Sequence, residues 1–240
     1  MLYLIGLGLG NEKSLSLEGL EAIKNCDKVF LECYTSKINC SVEDLEELTG
    51  KNIIRVNRNV VEEELDVKDA KEKNIALLII GDVFSATTHI SLFKDCTEKG
   101  VEVKIINNAS ILTAVGITGL ELYKFGKVAS IPFENENVKG PIKILEDNQK
   151  IDAHTLFLLD LKPLENKYLS IKDAIEYLEK NNVKEKVVGC SRLGQENYKI
   201  KYGKMEELKN EDFGEGPYCL IIPSKKLHFV EEEMLEKFKI

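Results

Sequence analysis

An apolar run at 2–5, Leu-Tyr-Leu-Ile, passes straight into Gly6-Leu7-Gly8-Leu9-Gly10 and then into a helical pattern. A strand that ends in glycines and turns into a helix is how an α/β domain begins when its first loop must come close to something. Glycine permits positive φ and keeps side chains off the backbone N–H groups. The spacing is G-x-G-x-G. A dinucleotide fingerprint asks for G-x-G-x-x-G, and its third position holds Asn11 here, so the match fails by one residue. Glu32, at the end of the next strand-like run, stands where a ribose-binding acid would. Three readings stay open at this point: NAD, another nucleotide-like ligand, or a tight turn alone.

The rest of the first half keeps the same alternation. Strands are predicted at 2–5, 28–32, 52–56, 75–80 and 101–106. Helices are predicted at 16–25, capped by Ser16, at 42–48, ended by Gly50, and at 88–99, with acidic helical residues running to about 73. The run at 75–80 is apolar throughout, as a strand covered on both faces should be. These features predict a mostly parallel sheet with helices on both sides. The second half changes character. Strands are predicted near 127–131, 155–160, 186–191 and 218–222, with one clear helix at 171–182 opened by the capping-box pattern Ser170-Ile171-Lys172-Asp173. Few helices between strands imply a mixed sheet. The chain therefore reads as two α/β domains, 1–110 and 111–240, with a cleft between them, and 240 residues suffice for both.

Composition narrows the function. The net charge is −8 without a basic stripe, which argues against a protein that tracks nucleic-acid phosphates. No apolar run approaches the roughly 18 residues of a membrane span and no leader pattern opens the chain, so the expected compartment is the cytoplasm. Cys26, Cys33, Cys40, Cys96, Cys190 and Cys219 form no C-x-x-C pair and read as buried, reduced thiols. His89, His154 and His228 lie far apart in sequence, so no metal site is expected, and no G-x-S-x-G elbow supports a serine hydrolase.

Chemistry gathers instead after the strands. Gly81-Asp82 closes the fourth strand, followed by Thr87-Thr88-His89. Asn107-Asn108-Ala109-Ser110-Ile111 follows the fifth, and Glu32-Cys33-Tyr34-Thr35-Ser36 the second. Ligands of open α/β sheets bind outside the carboxyl ends of strands. Asp82 there accepts hydrogen bonds from ribose hydroxyls or an ammonium, or else caps the next helix. His89 reads more simply as a packed helix residue than as a base.

Taken with Leu17-Glu18-Gly19-Leu20, Ala86-Thr87-Thr88-His89, the long stretch Thr118-Gly119-Leu120-Glu121-Leu122-Tyr123-Lys124-Phe125-Gly126 running on to Ser130-Ile131-Pro132-Phe133, His154-Thr155-Leu156, Leu159-Asp160-Leu161-Lys162 and Arg192-Leu193-Gly194, these motifs resemble the diphthine synthase family. That family lies within the tetrapyrrole methylase superfamily of S-adenosylmethionine-dependent enzymes. The likeness runs essentially end to end. It implies two α/β domains, a homodimer, and S-adenosylmethionine in the cleft, with S-adenosylhomocysteine as product. It places cofactor contacts at Leu9, Asp82, Ser85, Ser110 and Ile111, then at Leu161, near Gly203 to Met205, and at His228. One departure shows: the superfamily often has proline after Gly-Asp, and Val83 stands there.

The implied reaction is successive methylation of the amino group on a modified histidine of translation elongation factor two, giving diphthine on the route to diphthamide. That histidine carries an aminocarboxypropyl arm. Tyr34, Thr35, Thr87 and His89 are the candidates for steering the amine, and no general base is named. The alternatives are a corrin-precursor methylase of the same superfamily and, less well matched, an NAD-dependent dehydrogenase. No nucleic acid or membrane partner is expected.

Overall fold

A computed structural model describes residues 1–61 and 67–240. Part of the expected acidic helical stretch, 62–66, lies outside the described residues. By internal contact the chain divides into two compact units. The first is Met1–Leu112 joined by two short later segments, Pro163–Glu165 and Gly194–Glu196. The second is Thr113–Lys162 with Asn166–Leu193 and Asn197–Ile240.

The first unit runs β1 (Leu2–Gly6), α1 (Leu17–Lys24), β2 (Lys28–Glu32), α2 (Val42–Thr49), β3 (Ile53–Val56), β4 (Ile75–Ile79), α3 (Ile90–Glu98) and β5 (Val103–Ile106). Local chemistry sets the helix ends. Ser16 accepts the Gly19 N–H at 3.0 Å to open α1. Ser41 and Asp44 form a reciprocal capping box on α2, which stops at Gly50 in the left-handed conformation, φ 68°. All five strands are parallel, in the order β3-β2-β4-β1-β5. Central β4 has every residue buried. Its alternate side chains serve two cores: Ala76 and Leu78 pack with Ile23 of α1 and Leu45 of α2, whereas Ile75, Leu77 and Ile79 pack with Leu92 and Cys96 of α3. Because the strands are parallel, their carboxyl ends form one edge, and every loop that follows a strand emerges there.

α4 (Ile111–Ala114) carries the chain into the second unit. Next come β6 (Ala129–Ile131), α5 (Gly140–Lys150), β7 (Thr155–Leu159), the short pair β8 (Leu161–Lys162) and β9 (Lys167–Tyr168), α6 (Ile171–Lys180), β10 (Val187–Ser191), β11 (Lys199–Gly203), α7 (Met205–Leu208), β12 (Tyr218–Ile222) and α8 (Phe229–Glu236). The main sheet is mixed, in the order β11-β10-β12-β7-β6, with only β6 and β7 parallel. The capping box at Ser170 and Asp173 is present as the sequence predicts. Helices α5 and α8 and strand β11 were not expected. Gly140-Pro141 reads as a loop, yet proline is at home in a helix's first turn, where its missing N–H has no intrahelical partner to lose.

A buried polar network holds the second unit's last helix. Glu231 is fully buried. Its carboxylate accepts the Glu121 N–H at 2.9 Å, the His228 N–H at 2.8 Å, the Lys124 ammonium at 2.6 Å and His154 Nε2 at 2.8 Å. The Ser224 N–H donates to His154 Nδ1 at 2.8 Å, so the neutral ring carries its proton on Nε2. Phe125 meets the His154 ring edge-on, 5.1 Å between centroids. Much of the Thr118–Gly126 stretch is thus spent on structure: Lys124 and Glu121 on Glu231, Phe125 on His154, and Gly126 where a Cβ would overlap Asn148.

Burial pushes the Glu231 carboxyl up, but its donors outweigh that and hold it at about 2. Burial presses the His154 imidazole below its ordinary 6.5. Both groups act in the same direction on acidification. His154 contributes stability above pH 6.5 and loses it below, as the buried ring is forced to charge. Glu231 contributes above about pH 4.5 and loses it as pH falls toward 2. Glu231→Ala is therefore expected to cost about 3–5 kcal/mol in urea unfolding at neutral pH. It should also remove the lower of the two acid-loss steps.

Candidate active site

Loops at the carboxyl edge of a parallel sheet carry backbone N–H and C=O groups that no strand pairs, and four internal ties serve them here. Gly8 and Gly81 exchange backbone hydrogen bonds at 3.0 and 2.9 Å, joining the loops after β1 and β4. The Asn108 amide donates to Gly6 O at 2.9 Å and Ser14 O at 3.0 Å, joining the loop after β5 to that after β1. Asp82 joins the loops after β4 and β5. One carboxylate oxygen accepts the Phe84 N–H at 3.1 Å and the Ser85 hydroxyl at 2.9 Å. The other accepts the Asn107 amide at 2.9 Å and the Asn108 N–H at 3.2 Å. Glu32, fully buried, accepts the N–H groups of Tyr34 at 3.2 Å, Thr35 at 3.1 Å and Ile80 at 3.3 Å, and the Thr35 hydroxyl.

Two expectations change on this geometry. Glu32 does not present its carboxylate to a ribose, because it is enclosed and occupied. The glycine strip is not bare backbone awaiting a ligand either. A Cβ on Gly6 would stand 2.7 Å from Gly81 O and 2.9 Å from Asn108 Cβ, and one on Gly8, at φ 75°, would meet Ser14 Cβ at 3.0 Å. These glycines let the loops close on one another. The strip also leads into a 3-10 turn, Glu12–Ser14, with an acid in it, rather than directly into a helix N-terminus. That removes the pyrophosphate cradle a dehydrogenase needs.

Among the candidate cofactor residues, Leu9, Asp82, Ser85, Ser110 and Ile111 all follow β1, β4 or β5, three neighbouring strands, so the structure brings them to one stretch of the edge. Ser110 is buried and accepts the Leu112 N–H at 3.2 Å. Asp82 is a tie as much as a ligand. Burial raises its carboxyl's pKa, but its four donors together hold it below the usual range. The sequence missed Gly194. At φ 91° its α-carbon lies so close to Leu9 that a Cβ would come within 2.5 Å of Leu9 Cβ, and the Gly194 carbonyl is 3.4 Å from where a Cβ on Gly10 would be. The motif Arg192-Leu193-Gly194 carried the resemblance without a role; its glycine covers the first loop.

The acceptor candidates sort by exposure. Tyr34 OH lies 3.4 Å from His89 Nε2, and their ring centroids are 6.2 Å apart. His89 is buried, so the half-buried Tyr34 is the outer member of the pair. The Thr35 hydroxyl is spent on Glu32, and the Thr87 hydroxyl donates to Val83 O at 2.7 Å. In the second unit the candidates separate. Leu161 follows the carboxyl end of β7. Gly203 pairs with Val187 at the amino end of β10, and His228 follows β12 beyond Ile222, which pairs with Thr155 at the amino end of β7. Gly203 and His228 therefore lie at the other end of the sheet from Leu161. Met205 is buried in the core among Ile171, Leu178, Leu208 and Phe213, so its side chain is a packing element.

Comparison with known proteins bears on this edge. The family model of tetrapyrrole (corrin/porphyrin) methylases matches residues 1–209. The chain belongs to the tetrapyrrole methylase family. Within that family it is 39% identical to the diphthine synthase of Archaeoglobus fulgidus, covering 99% of this chain and 95% of that one. It is 38% identical to the diphthine methyl ester synthase of Homo sapiens, covering 100% and 95%. A crystal structure of a diphthine synthase superposes with a TM-score of 0.92 at 38% identity, over 99% of this chain and 95% of that chain.

The donor set suits the sulfonium cofactor that a tetrapyrrole methylase uses. The loops at 7–11, 80–89 and 107–112 contain one charged residue, Asp82, and hydroxyls at Ser85, Thr87, Thr88 and Ser110. A cation meets no like charge there. Beside them, a Cβ on Gly81 would stand in ordinary van der Waals contact with Leu9 Cδ2 at 3.6 Å and the Ala109 carbonyl at 3.8 Å, so the loops after β4, β1 and β5 lie against one another there. Among the described residues no group of three or more His, Cys, Asp or Glu could hold a metal ion, and no helix is long and apolar enough to cross a membrane. The six cysteines are free thiols; four are buried, and Cys33 and Cys40 are half-buried rather than enclosed. Glu32→Ala should strand the N–H groups of Tyr34, Thr35 and Ile80 and lower stability by about 3 kcal/mol. Urea unfolding measures the loss, and hydrogen exchange should show it beginning at residues 33–36.

Proposed function

We propose that this chain is an S-adenosylmethionine-dependent N-methyltransferase that successively methylates the amino group of the aminocarboxypropyl-modified histidine of elongation factor two, giving diphthine. The full-length likeness to diphthine synthases supports this most directly. The edge supports it chemically, with a cation-tolerant stretch after β1, β4 and β5 lying beside a polar acceptor stretch after β2 and β3. Leu9, Asp82, Ser85, Ser110 and Ile111 are the proposed cofactor contacts of the first unit. Of the second-unit candidates, we carry forward Leu161 and His228. Gly203 stays as a backbone candidate, and the burial of Met205 limits it to main-chain contact.

Bound S-adenosylmethionine supplies an electrophilic methyl on a sulfonium whose leaving group departs neutral. The chain's own task is alignment, which in well-oriented reactions is worth roughly 7–11 kcal/mol. Asp82 fixes the loops after β4 and β5 in one arrangement. Tyr34 presents its hydroxyl to the acceptor amine, and His89, enclosed behind it, sets that hydroxyl's direction. His89 is thus a positioning residue. The attacking amine must shed its proton first, and desolvation at the edge favours the neutral form.

The protein is proposed to act in the cytoplasm as a homodimer. Support for self-association comes from exposed apolar side chains on two segments tied by the Glu121–Glu231 bond: Leu122 and Tyr123, with Phe229 and Val230. Tyr123→Glu should raise the monomer fraction in light scattering.

Two measurements test the main reading. Mass spectrometry of unmethylated, arm-bearing elongation factor two after incubation should show mass rising one methyl at a time. An unchanged mass would overturn the assignment. In calorimetry with S-adenosylhomocysteine, Asp82→Ala should weaken binding by roughly tenfold or more, because four donors lose their common acceptor. His89→Ala should bind the product normally and turn over slowly. Wild-type affinity in Asp82→Ala would remove its role.

A further inference from the structure

Two cations meet at one end of the second unit's main sheet. Arg192 follows β10 directly, and Lys199 opens β11 opposite Ser191. The loop before β12 faces both. A Cβ on Gly214 would stand 3.0 Å from Arg192 Nη2 and 3.6 Å from Lys199 Nζ, so the two side chains converge on bare backbone. That loop is fastened. The Gly214 N–H donates to the Asp212 carboxylate at 2.7 Å, the Tyr218 hydroxyl donates to Gly214 O, and the Arg192 N–H donates to Pro217 O at 2.9 Å. Lys199 Nζ donates to the Asp212 carbonyl at 3.2 Å and carboxylate at 3.1 Å. Arg192 is served differently. Its Nη2 donates to Asn197 O at 3.1 Å, while its Nε is enclosed and has no acceptor. Glu196, Glu211 and Glu215 also stand in these loops, and Glu211 pairs with Lys201. Among the described residues no carboxylate pairs with Arg192. Its backbone is left-handed, φ 53°, in a residue that is not glycine. A half-buried guanidinium held this way beside a lysine is incomplete without an anion: like charges repel, and an enclosed charged donor without an acceptor is costly.

Resting on the methyltransferase reading, we propose that Arg192 and Lys199 form a subsite for the α-carboxylate of an amino-acid-bearing reactant. Asp212 already balances Lys199, so one positive charge is left at the pair, which suits a carboxylate better than a phosphate dianion. A guanidinium also offers N–H donors in a planar fork that matches two carboxylate oxygens. Both reactants carry that group, S-adenosylmethionine at its methionine end and the acceptor on its aminocarboxypropyl arm. The sheet places the subsite suitably. Ser191 pairs with Tyr218 and Cys219 with Leu158, so Arg192 stands at the same end of this sheet as Leu161, a proposed cofactor contact. In the chain Arg192 is two residues before Gly194, whose α-carbon lies against Leu9, another proposed contact. The fastened 212–217 loop holds both cations ready, so little ordering is left for the carboxylate to drive. The motif Arg192-Leu193-Gly194 thereby gains a second role beside that of its glycine.

The test compares wild type with R192M, R192K and K199M on two pairs of ligands that differ only at the carboxylate. For the cofactor, calorimetry sets S-adenosylhomocysteine against its decarboxylated form. For the acceptor, L-2-aminobutyrate, the arm without its histidine, and its carboxamide compete with arm-bearing elongation factor two at saturating S-adenosylmethionine. Wild type should prefer the acid in one pair by roughly 10- to 100-fold, as expected for a charged hydrogen-bonded contact. R192M should abolish that preference, and R192K and K199M should each retain part of it. The pair that responds identifies the reactant. A response in the first pair with an unchanged KM for the elongation factor assigns the cofactor's carboxylate, and the converse assigns the arm's. A role confined to holding the 212–217 loop would weaken acid and neutral ligand alike and lower the thermal midpoint with them. That outcome overturns the proposal, as does a wild type without acid preference in either pair, or variants that keep the wild-type preference in both. Wild type that binds S-adenosylhomocysteine but transfers no methyl to the elongation factor would overturn the diphthine reading, while the cofactor pair would still decide this subsite. Wild type that binds no S-adenosylhomocysteine would overturn both.

Discussion

Unpaired backbone polar groups are the constraint behind this edge. A parallel sheet delivers every strand into a loop on the same side, and each loop must find partners for its N–H and C=O groups or leave them to water. Here two carboxylates and one amide do that work. Glu32 serves β2 and β4, Asp82 serves β4 and β5, and Asn108 serves β5 and β1. The reciprocal Gly8–Gly81 bond closes the remaining neighbours. Each tie spans strands far apart in sequence, so the loops hold their places only once the sheet has formed. Loops tied this way are held in one arrangement by the sheet that carries them.

Glu32 is the costly member. It is fully enclosed among backbone donors, with no cation within its hydrogen-bonding shell, and burial raises its pKa despite those donors. Folding bears that cost because the alternative is to leave the N–H groups of Tyr34, Thr35 and Ile80, the last of them buried, without this acceptor. The contrast with Glu231 is instructive. That carboxylate, equally enclosed, gains a lysine and a histidine among its partners and is held at about 2. The two acids thus respond to acidification in opposite senses. Protonating Glu32 relieves a buried charge, whereas protonating Glu231 dismantles an ion pair.

Periodicity and capping made the first unit legible. The continuous apolar run became β4, Ser16 and Ser170 became caps, and Gly50 ended α2. The second unit resisted for identifiable reasons. α5 begins with Gly140-Pro141, which signals a turn as readily as a helix start. β11, Lys-Ile-Lys-Tyr-Gly, alternates but offers too little apolar character to stand out. The loops of the candidate site were legible in the sequence, and the contacts within them less so. The sequence located the loops after β1, β2, β4 and β5 and identified their polar residues. It could not show that Glu32 is enclosed, that the glycines are consumed by loop–loop packing, or that Met205 points into a core. Those facts depend on which side chains meet, and Gly194 meets Leu9 only because chain from much later in the sequence returns to the first unit.

Strand order decides which of these loops are neighbours. In the order β3-β2-β4-β1-β5, the stretches 80–89, 7–11 and 107–112 that follow the last three strands are contiguous, have Asp82 as their one charged residue, and are closed on one another by glycine and asparagine. The loop after β2 carries Tyr34. His89, 3.4 Å from the Tyr34 hydroxyl, belongs to the same loop as Asp82, so the Tyr34 contact and the Asp82 ties share one piece of backbone. A change in how residues 82–89 sit would reach both together. Val83, standing where the wider family often has proline, is fully buried in the core beneath this loop. Side-chain packing there anchors the turn that a proline ring would otherwise stiffen.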